Sequence, residues 1–238
     1  APVSRRDGTV VLDSKTRNAY QNEYFCDSGL TDGVTYYYKF FPYTTQSSYT
    51  DSADDEFSKT PAPVAVGDVS SMSAVAAGNG KLALKWNDPS ATVVNDGVTL
   101  ATWAKTTVVV KAGGYATDPD DADAAYRLAV TTRNQYVSSP LTVTGLQNGV
   151  TYYVSFFPTS TDGAVNTGTA NRVTGVPNRL AISTVPSQSG SLTYSGNSQS
   201  PSWSNYDSSK MTLGGVTSGI NAGSYNATFT PKDDYCWS

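Results

Sequence analysis

The stretch that decides the fold is Gly145-Leu146-Gln147-Asn148-Gly149-Val150-Thr151-Tyr152-Tyr153-Val154-Ser155-Phe156-Phe157-Pro158. Tyr152, Val154 and Phe156 alternate with Tyr153, Ser155 and Phe157, and a period of two residues is that of a β-strand. The same pattern stands 116 positions earlier as Gly29-Leu30-Thr31-Asp32-Gly33-Val34-Thr35-Tyr36-Tyr37-Tyr38-Lys39-Phe40-Phe41-Pro42. Thr16-Arg17-Asn18-Ala19-Tyr20 and Thr132-Arg133-Asn134-Gln135-Tyr136 share that offset, as do Pro61 and Pro177. A fixed offset without gaps marks an internal repeat, which must be read before any single strand. One complete copy therefore occupies 62–177, and 1–61 reads as the carboxy-terminal part of its sister. By the same offset the sister's start falls about 54 positions before Ala1, so the chain reads as an excerpt of something longer.

Working outward from that stretch, the complete copy reads as an antiparallel sandwich. Ser71 to Ala77 forms a first strand, and Gly78-Asn79-Gly80 supplies turn residues that tolerate positive φ. Leu82, Leu84 and Trp86 then share one face of a strand whose other face carries lysines. Asn87-Asp88-Pro89 ends it. Thr102 to Lys111 is a β-branched run, stopped by Gly113-Gly114. Tyr126, Leu128 and Val130 alternate next, followed by Leu141 and Val143, by Val150 to Phe157, and by a closing segment from Thr167 to Val176. Seven short strands separated by turn signals predict a sandwich, and helical periodicity appears nowhere.

Trp86 on an early strand, followed much later by Leu146-x-x-Gly149-x-x-Tyr152-x-Val154-x-Phe156, resembles a fibronectin type III module. That resemblance implies a tyrosine corner at the start of the sixth strand, where a phenol closes the preceding loop by a hydrogen bond to backbone. Leu30, Gly33, Tyr36, Tyr38 and Phe40 repeat it. After Pro177 the texture changes to Ser, Gly and Tyr. Leu192-Thr193-Tyr194-Ser195-Gly196, Pro201-x-Trp203-x-x-Tyr206-Asp207 and Asn221-Ala222-Gly223-Ser224-Tyr225-Asn226-Ala227-Thr228-Phe229 resemble bacterial Ig-like repeats. Tyr225, Ala227 and Phe229 are expected on one face of a strand. The resemblance also implies a closing strand beyond Tyr235-Cys236-Trp237-Ser238, supplied by continuing chain or by a neighbouring one. The expected fold is all-β: tandem antiparallel β-sandwiches, a partial fibronectin type III-like module at 1–61, a complete one at 62–177 and an incomplete Ig-like domain at 178–238.

Composition narrows the chemistry. The chain has 238 residues, 15% charged, with a net charge of −4 and 16 tyrosines. No histidine occurs, which excludes Ser-His-Asp triads and His-ligated zinc. Without a basic segment there is no electrostatic footprint for nucleic acid, and no apolar run is long enough to insert into a membrane. Cys26 and Cys236 fall in different predicted domains, leaving two free thiols, the expected state, or one intermolecular bridge.

Asp27-Ser28-Gly29 has the form of an aspartic-protease triplet, but the sister copy reads Val143-Thr144-Gly145 and offers no second carboxylate to share a proton. Asp118, Asp120, Asp121 and Asp123 form an acidic cluster of the kind that holds calcium in inter-strand turns, yet the spacing is not that of a twelve-residue calcium loop. A solvated turn opened by Asp118-Pro119 accounts for it. Lys39 is placed on the outward face of its strand, which argues against a Lys-Asn isopeptide crosslink. Asn226-Ala227-Thr228 is a glycosylation sequon inside an expected strand.

The remaining candidates are aromatic. With Tyr152, Val154 and Phe156 turned inward, Tyr153 and Phe157 turn outward, as do Tyr37 and Phe41 in the first copy. Outward aromatics two residues apart stack on sugar rings or pack against a partner, or are covered by a neighbouring strand or loop. These four are the candidate surface contacts; no catalytic, cofactor or metal residue is expected. Modules of this resemblance look most like those in tail or fibre proteins of bacteriophages infecting Gram-positive bacteria, and are similar to those in large surface proteins of such bacteria. The expectation is a non-enzymatic structural or adhesive array on a virion surface or outside the cell, with other virion or surface-protein subunits and host glycans as partners. The alternative is an adhesin or a carbohydrate-binding accessory module of a secreted enzyme.

Overall fold

A computed structural model describes residues 1–4, 6–50, 55–95 and 97–238, and no α-helix occurs among them. The all-β expectation holds. Two compact units form, one of Ala1–Gly67, Ser90–Ala104 and Thr159–Val165, the other of Asp68–Pro89, Lys105–Pro158 and Asn166–Ser238. Compactness thus divides the chain differently from the repeat, because 90–104 and 159–165 leave the middle module for the first unit.

In the first unit, β1 (Tyr36–Lys39) and β2 (Glu56–Lys59) make an antiparallel ribbon with Tyr36 opposite Lys59 and Lys39 opposite Glu56. In the second, the strands are β3 (Ser70–Gly78), β4 (Lys81–Asn87), β7 (Tyr126–Val130), β8 (Leu141–Val143), β9 (Tyr152–Ser160) and β10 (Arg172–Gly175). Between β4 and β7 the chain also forms β5 (Thr92–Asn95) and a 15-residue β6 (Val98–Ala112). The start of β6 pairs with β5 inside the first unit, and its later part, Thr106 to Val110, pairs with β7. The hairpin through β5 is an element the sequence reading left out.

The sheet β3-β4-β8 faces the sheet that carries β7, β6, β9 and β10. Their inner residues meet in one core that includes Leu82, Leu84, Trp86, Val108, Val154 and Phe156. Trp86 lies 5.0 Å from Tyr136 and 5.1 Å from Phe156, ring centre to ring centre. Its indole N–H donates to Asp88 Oδ1 at 2.9 Å, which settles the one polar atom the ring carries inward.

Thr-Arg-Asn-x-Tyr explains itself at this point. Asn134 sits at φ 61°, a left-handed conformation that asparagine tolerates better than most residues. From there its backbone N–H donates to Asp88 Oδ2, its side-chain oxygen accepts from Asp88 N–H, and Arg133 Nε donates to the Pro89 carbonyl. The motif clamps the exit of β4 while Tyr136 covers Trp86. Asn18 holds φ 59° in the first copy.

The offset of 116 recurs bond by bond. Gly33 N–H donates to Pro61 O at 2.9 Å and Gly149 N–H to Pro177 O at 3.0 Å. Thr31 N–H donates to the Tyr36 hydroxyl at 2.9 Å, and Gln147 N–H to the Tyr152 hydroxyl at 3.1 Å. The pairing of β1 with β2 has the register of β9 with β10. Surroundings differ: Phe156 is buried, whereas its counterpart Phe40 is 59% exposed and stacks on Phe57 at 5.8 Å.

Tyr152→Phe removes the acceptor of the Gln147 N–H at a buried corner, so unfolding free energy is expected to drop by about 1–3 kcal/mol. Chemical denaturation reads it directly. Cys26, exposed and free, corresponds to Thr142 in the second copy. Cys26→Thr should stay within about 1 kcal/mol of wild type in the same experiment.

The carboxy-terminal segment has β11 (Leu180–Ile182), β12 (Ser187–Ser189), β13 (Ser202–Ser204), β14 (Met211–Gly215), β15 (Ala227–Pro231) and β16 (Tyr235–Trp237). Two expectations need correction. Tyr225 precedes β15 and is exposed, and its hydroxyl donates to Asn221 O at 2.7 Å to close its own loop. The last residues form β16, which bonds to β11 in parallel, Leu180 opposite Tyr235. Asn226 also lies outside the strand and is exposed.

This segment is bolted to the β3–β4 hairpin. Lys81 Nζ lies 2.6 Å from Asp234 Oδ2, Asn79 N–H donates to Asp234 Oδ1, and Asn79 Nδ2 donates to Asp233 Oδ1. A side chain at Gly78, which holds φ 130°, would meet Asp234 Oδ1 at 2.5 Å. Lys81 holds the Asp234 carboxyl below the usual carboxylate range, chiefly by that hydrogen bond. A carboxyl depressed in the folded state contributes stability at neutral pH that is lost as pH falls through the folded value. Acid titration of stability should therefore fall more steeply below about pH 4 in wild type than in Lys81→Met.

Candidate functional site: the outer face of the paired strands

Alternation along β1 and β9 sends Tyr37, Lys39 and Phe41, and Tyr153, Ser155 and Phe157, to the face opposite the core. The register sets Glu56 across from Lys39 and Arg172 across from Ser155. Both copies thus carry aromatics and a charged residue on one outer face, but the two faces are finished differently.

In the first copy the face is open. Tyr37 is 59% exposed and Phe41 is half-buried. Lys39 Nζ lies 2.6 Å from Glu56 Oε1 and 5.7 Å from the centre of the Phe41 ring. The Lys39 side chain is only 7% exposed. Its face was read correctly, yet the pair with Glu56 and the ring of Phe41 withdraw its amine from water. The open feature is the Tyr37 ring beside a neutralised ion pair.

In the second copy the connection from β6 to β7 covers the face. Ser155 Oγ donates to Ala116 O, Tyr115 meets Tyr153 edge-on at 4.9 Å, and the Arg172 guanidinium lies 5.1 Å from the centre of the Tyr115 ring. Phe157 is 2% exposed, so it is withdrawn as a surface contact, and Tyr153 is half-buried. Alternation names the face a residue points to; it does not say whether a loop lies over that face.

The acidic cluster belongs to the same connection. Lys111 Nζ lies 2.9 Å from Asp121 Oδ2 and 3.7 Å from Asp123 Oδ2, and Arg127 approaches Asp120. Asp118 accepts from Asp120 N–H, and Asp121 from Asp123 N–H. The hydrogen bond from Lys111 holds Asp121 below the usual carboxylate range, and Asp121 in turn raises Lys111. These carboxylates close turns and pair cations. Among the described residues no cluster of three or more His, Cys, Asp or Glu is placed to hold a metal ion.

Asp27 is likewise engaged: it accepts the Tyr38 hydroxyl at 2.9 Å, and burial, followed by that bond, raises the phenol's pKa. The open face presents the exposed Tyr37 ring and the paired Lys39 and Glu56.

No family model and no curated protein matches the chain. Among solved structures 17 chains match it. One is the crystal structure of the rat CD45 extracellular region, domains d3–d4, at 16% identity and a TM-score of 0.30, covering 75% of this chain and 82% of that one. At that TM-score the two do not superpose as whole folds, and nothing of what CD45 does is carried to this chain.

Proposed function

We propose that the chain is part of a non-enzymatic, structural and adhesive tandem array of β-sandwich modules, carried by a tail or fibre protein of a bacteriophage that infects Gram-positive bacteria. The observation that carries this reading is the recurrence of one backbone scaffold at a fixed offset, with its polar groups engaged in holding strands, turns and the inter-domain bolt. Low charge and abundant Ser and Thr suit a surface exposed to varying salt. The modules space or display host-binding parts, with other virion subunits and host glycans as partners.

Antibodies against the chain test it by immuno-electron microscopy of phage particles and host cells. Label on the tail supports the reading, label on the cell wall moves the array to a bacterial surface protein, and label on neither refutes both. The open ring of Tyr37 favours a second role, glycan contact by an adhesin or accessory module. Tyr37→Ala should then weaken adhesion to Gram-positive cell walls about fivefold or more, the loss expected of an aromatic anchor.

A further inference from the structure

The chain contains two Asn-Gly dipeptides, Asn79-Gly80 and Asn148-Gly149, and the fold sets them against each other. Gly80 N–H donates to Asn148 Oδ1 at 2.8 Å, and Asn148 Nδ2 donates to Asn79 Oδ1 at 2.6 Å. Asn79 Nδ2 in turn donates to Asp233 Oδ1 at 3.0 Å. Both amide orientations are fixed from outside, because the Gly80 N–H needs an oxygen and the Asp233 carboxylate needs a donor. A chain of bonds thus runs from the tyrosine-corner loop through the β3–β4 hairpin to the carboxy-terminal segment.

In an Asn-Gly dipeptide the side-chain amide is open to attack by the next backbone nitrogen, because glycine has no Cβ to block ring closure. The two sites differ in what holds that nitrogen. Gly80 is buried and its N–H is held by Asn148. Gly149 is exposed, holds φ 79° with nothing within 4 Å of where a Cβ would stand, and bonds through its N–H to Pro177 O at 3.0 Å. That bond lies beyond the last ladder pair, Gly175 with Tyr152, where a strand pair opens first. The sister copy has Asp32 at the place of Asn148, with the same bond from Gly33 to Pro61 O. The loop therefore accepts a carboxylate at this position, and only the clasp requires the amide.

We propose that Asn148 is a deamidation site and that its conversion releases the clasp. When the loop opens, and with it the Gly149–Pro177 bond, Gly149 N attacks Asn148 Cγ. The new C–N bond forms as the Cγ–Nδ2 bond breaks, and ammonia leaves with the Gly149 proton. Water then opens the succinimide at either carbonyl, giving aspartate or isoaspartate. One aspartate oxygen still accepts from Gly80, but the other meets Asn79 Oδ1, acceptor against acceptor. Turning the Asn79 amide over restores a donor there and sets its oxygen against Asp233 instead. Isoaspartate also lengthens the main chain by a carbon, which displaces Gly149 from Pro177. The new negative charge joins a junction that already holds Asp233 and Asp234.

Ageing the whole chain at mildly alkaline pH, followed by peptide mass mapping and isoaspartyl methyltransferase labelling, tests the site. In the folded chain Asn148 should convert about tenfold or more faster than Asn79, whose attacking nitrogen is buried and bonded. In urea the two should convert at similar rates, so the difference belongs to the fold. Hydrogen exchange on Asn148→Asp tests the consequence. The Asn79 and Gly80 amides should exchange about tenfold faster than in wild type, while the β9 ladder amides keep their protection. Three results would each overturn the proposal: Asn79 converting as fast as Asn148 in the folded chain, Asn148 staying amidated there after the unfolded chain has converted, or wild-type exchange at Asn79 and Gly80 in Asn148→Asp.

Discussion

Trp86→Ala is expected to lower the unfolding free energy of the second unit by about 3–5 kcal/mol, the cost of emptying a large aromatic site in a packed core. Trp86 on β4 meets Phe156 on the facing sheet and Tyr136 from the turn before β8, so the cavity would open where the two layers meet. Phe156 sits on β9, a strand held by ladder bonds, and cannot collapse inward. Trp86→Phe should recover part of the loss, since it restores ring volume but not the indole N–H bonded to Asp88. Urea denaturation followed by tyrosine fluorescence and circular dichroism measures both.

Asp88→Ala is expected to cost about 3 kcal/mol or more, although among the described residues no cation pairs with this carboxylate. Asp88 is buried, and its Oδ1 accepts from the Trp86 indole and from Thr106 Oγ1 at 2.6 Å, while Oδ2 accepts Asn134 N–H at 2.6 Å. Alanine strips the acceptor from the indole and from a backbone N–H in a dry site, at about 1–3 kcal/mol for each donor left unsatisfied. Asp88→Asn should recover little. An amide has one oxygen, so its NH₂ must face either the Asn134 N–H or the indole N–H, and donor would meet donor. Equilibrium denaturation of the two variants checks this, and an Asp88→Asn protein as stable as wild type would contradict it.

Much of the second module was legible because its strands are half-buried and antiparallel, where alternation maps directly to burial. Leu82, Leu84 and Trp86 on β4, and Tyr152, Val154 and Phe156 on β9, are inward as their spacing predicts. The turn glycines were legible for a different reason: Gly29, Gly33, Gly145 and Gly149 hold φ near 78°, a conformation that few other residues share. Features that depend on distant contacts were less legible. The cover over Tyr153 and Ser155 comes from the β6–β7 connection, and nothing in the local pattern of β9 reports it. The β5–β6 hairpin did leave a signal, since Thr92-Val93-Val94 and Val98-Thr99-Leu100 flank Asn95-Asp96-Gly97, a strong hairpin turn sequence. Tyr225 was misplaced because a tyrosine beside a strand can close a loop as readily as fill a face. The bolt of Lys81 on Asp234 joins residues 153 positions apart, a contact that spacing alone does not contain.

The central claim is that the strand pair carrying the tyrosine corner recurs 116 positions apart in the chain with identical register. Cross-strand nuclear Overhauser contacts test it most directly. The account predicts contacts between Tyr37 and Ser58 and between Tyr153 and Thr174, the same pairing 116 positions apart. A one-residue slip in either ribbon would turn every side chain of a strand to the other face. Contacts of Tyr37 with Phe57 or Lys59 as direct partners, or a register in β9–β10 that differs from that in β1–β2, would contradict it.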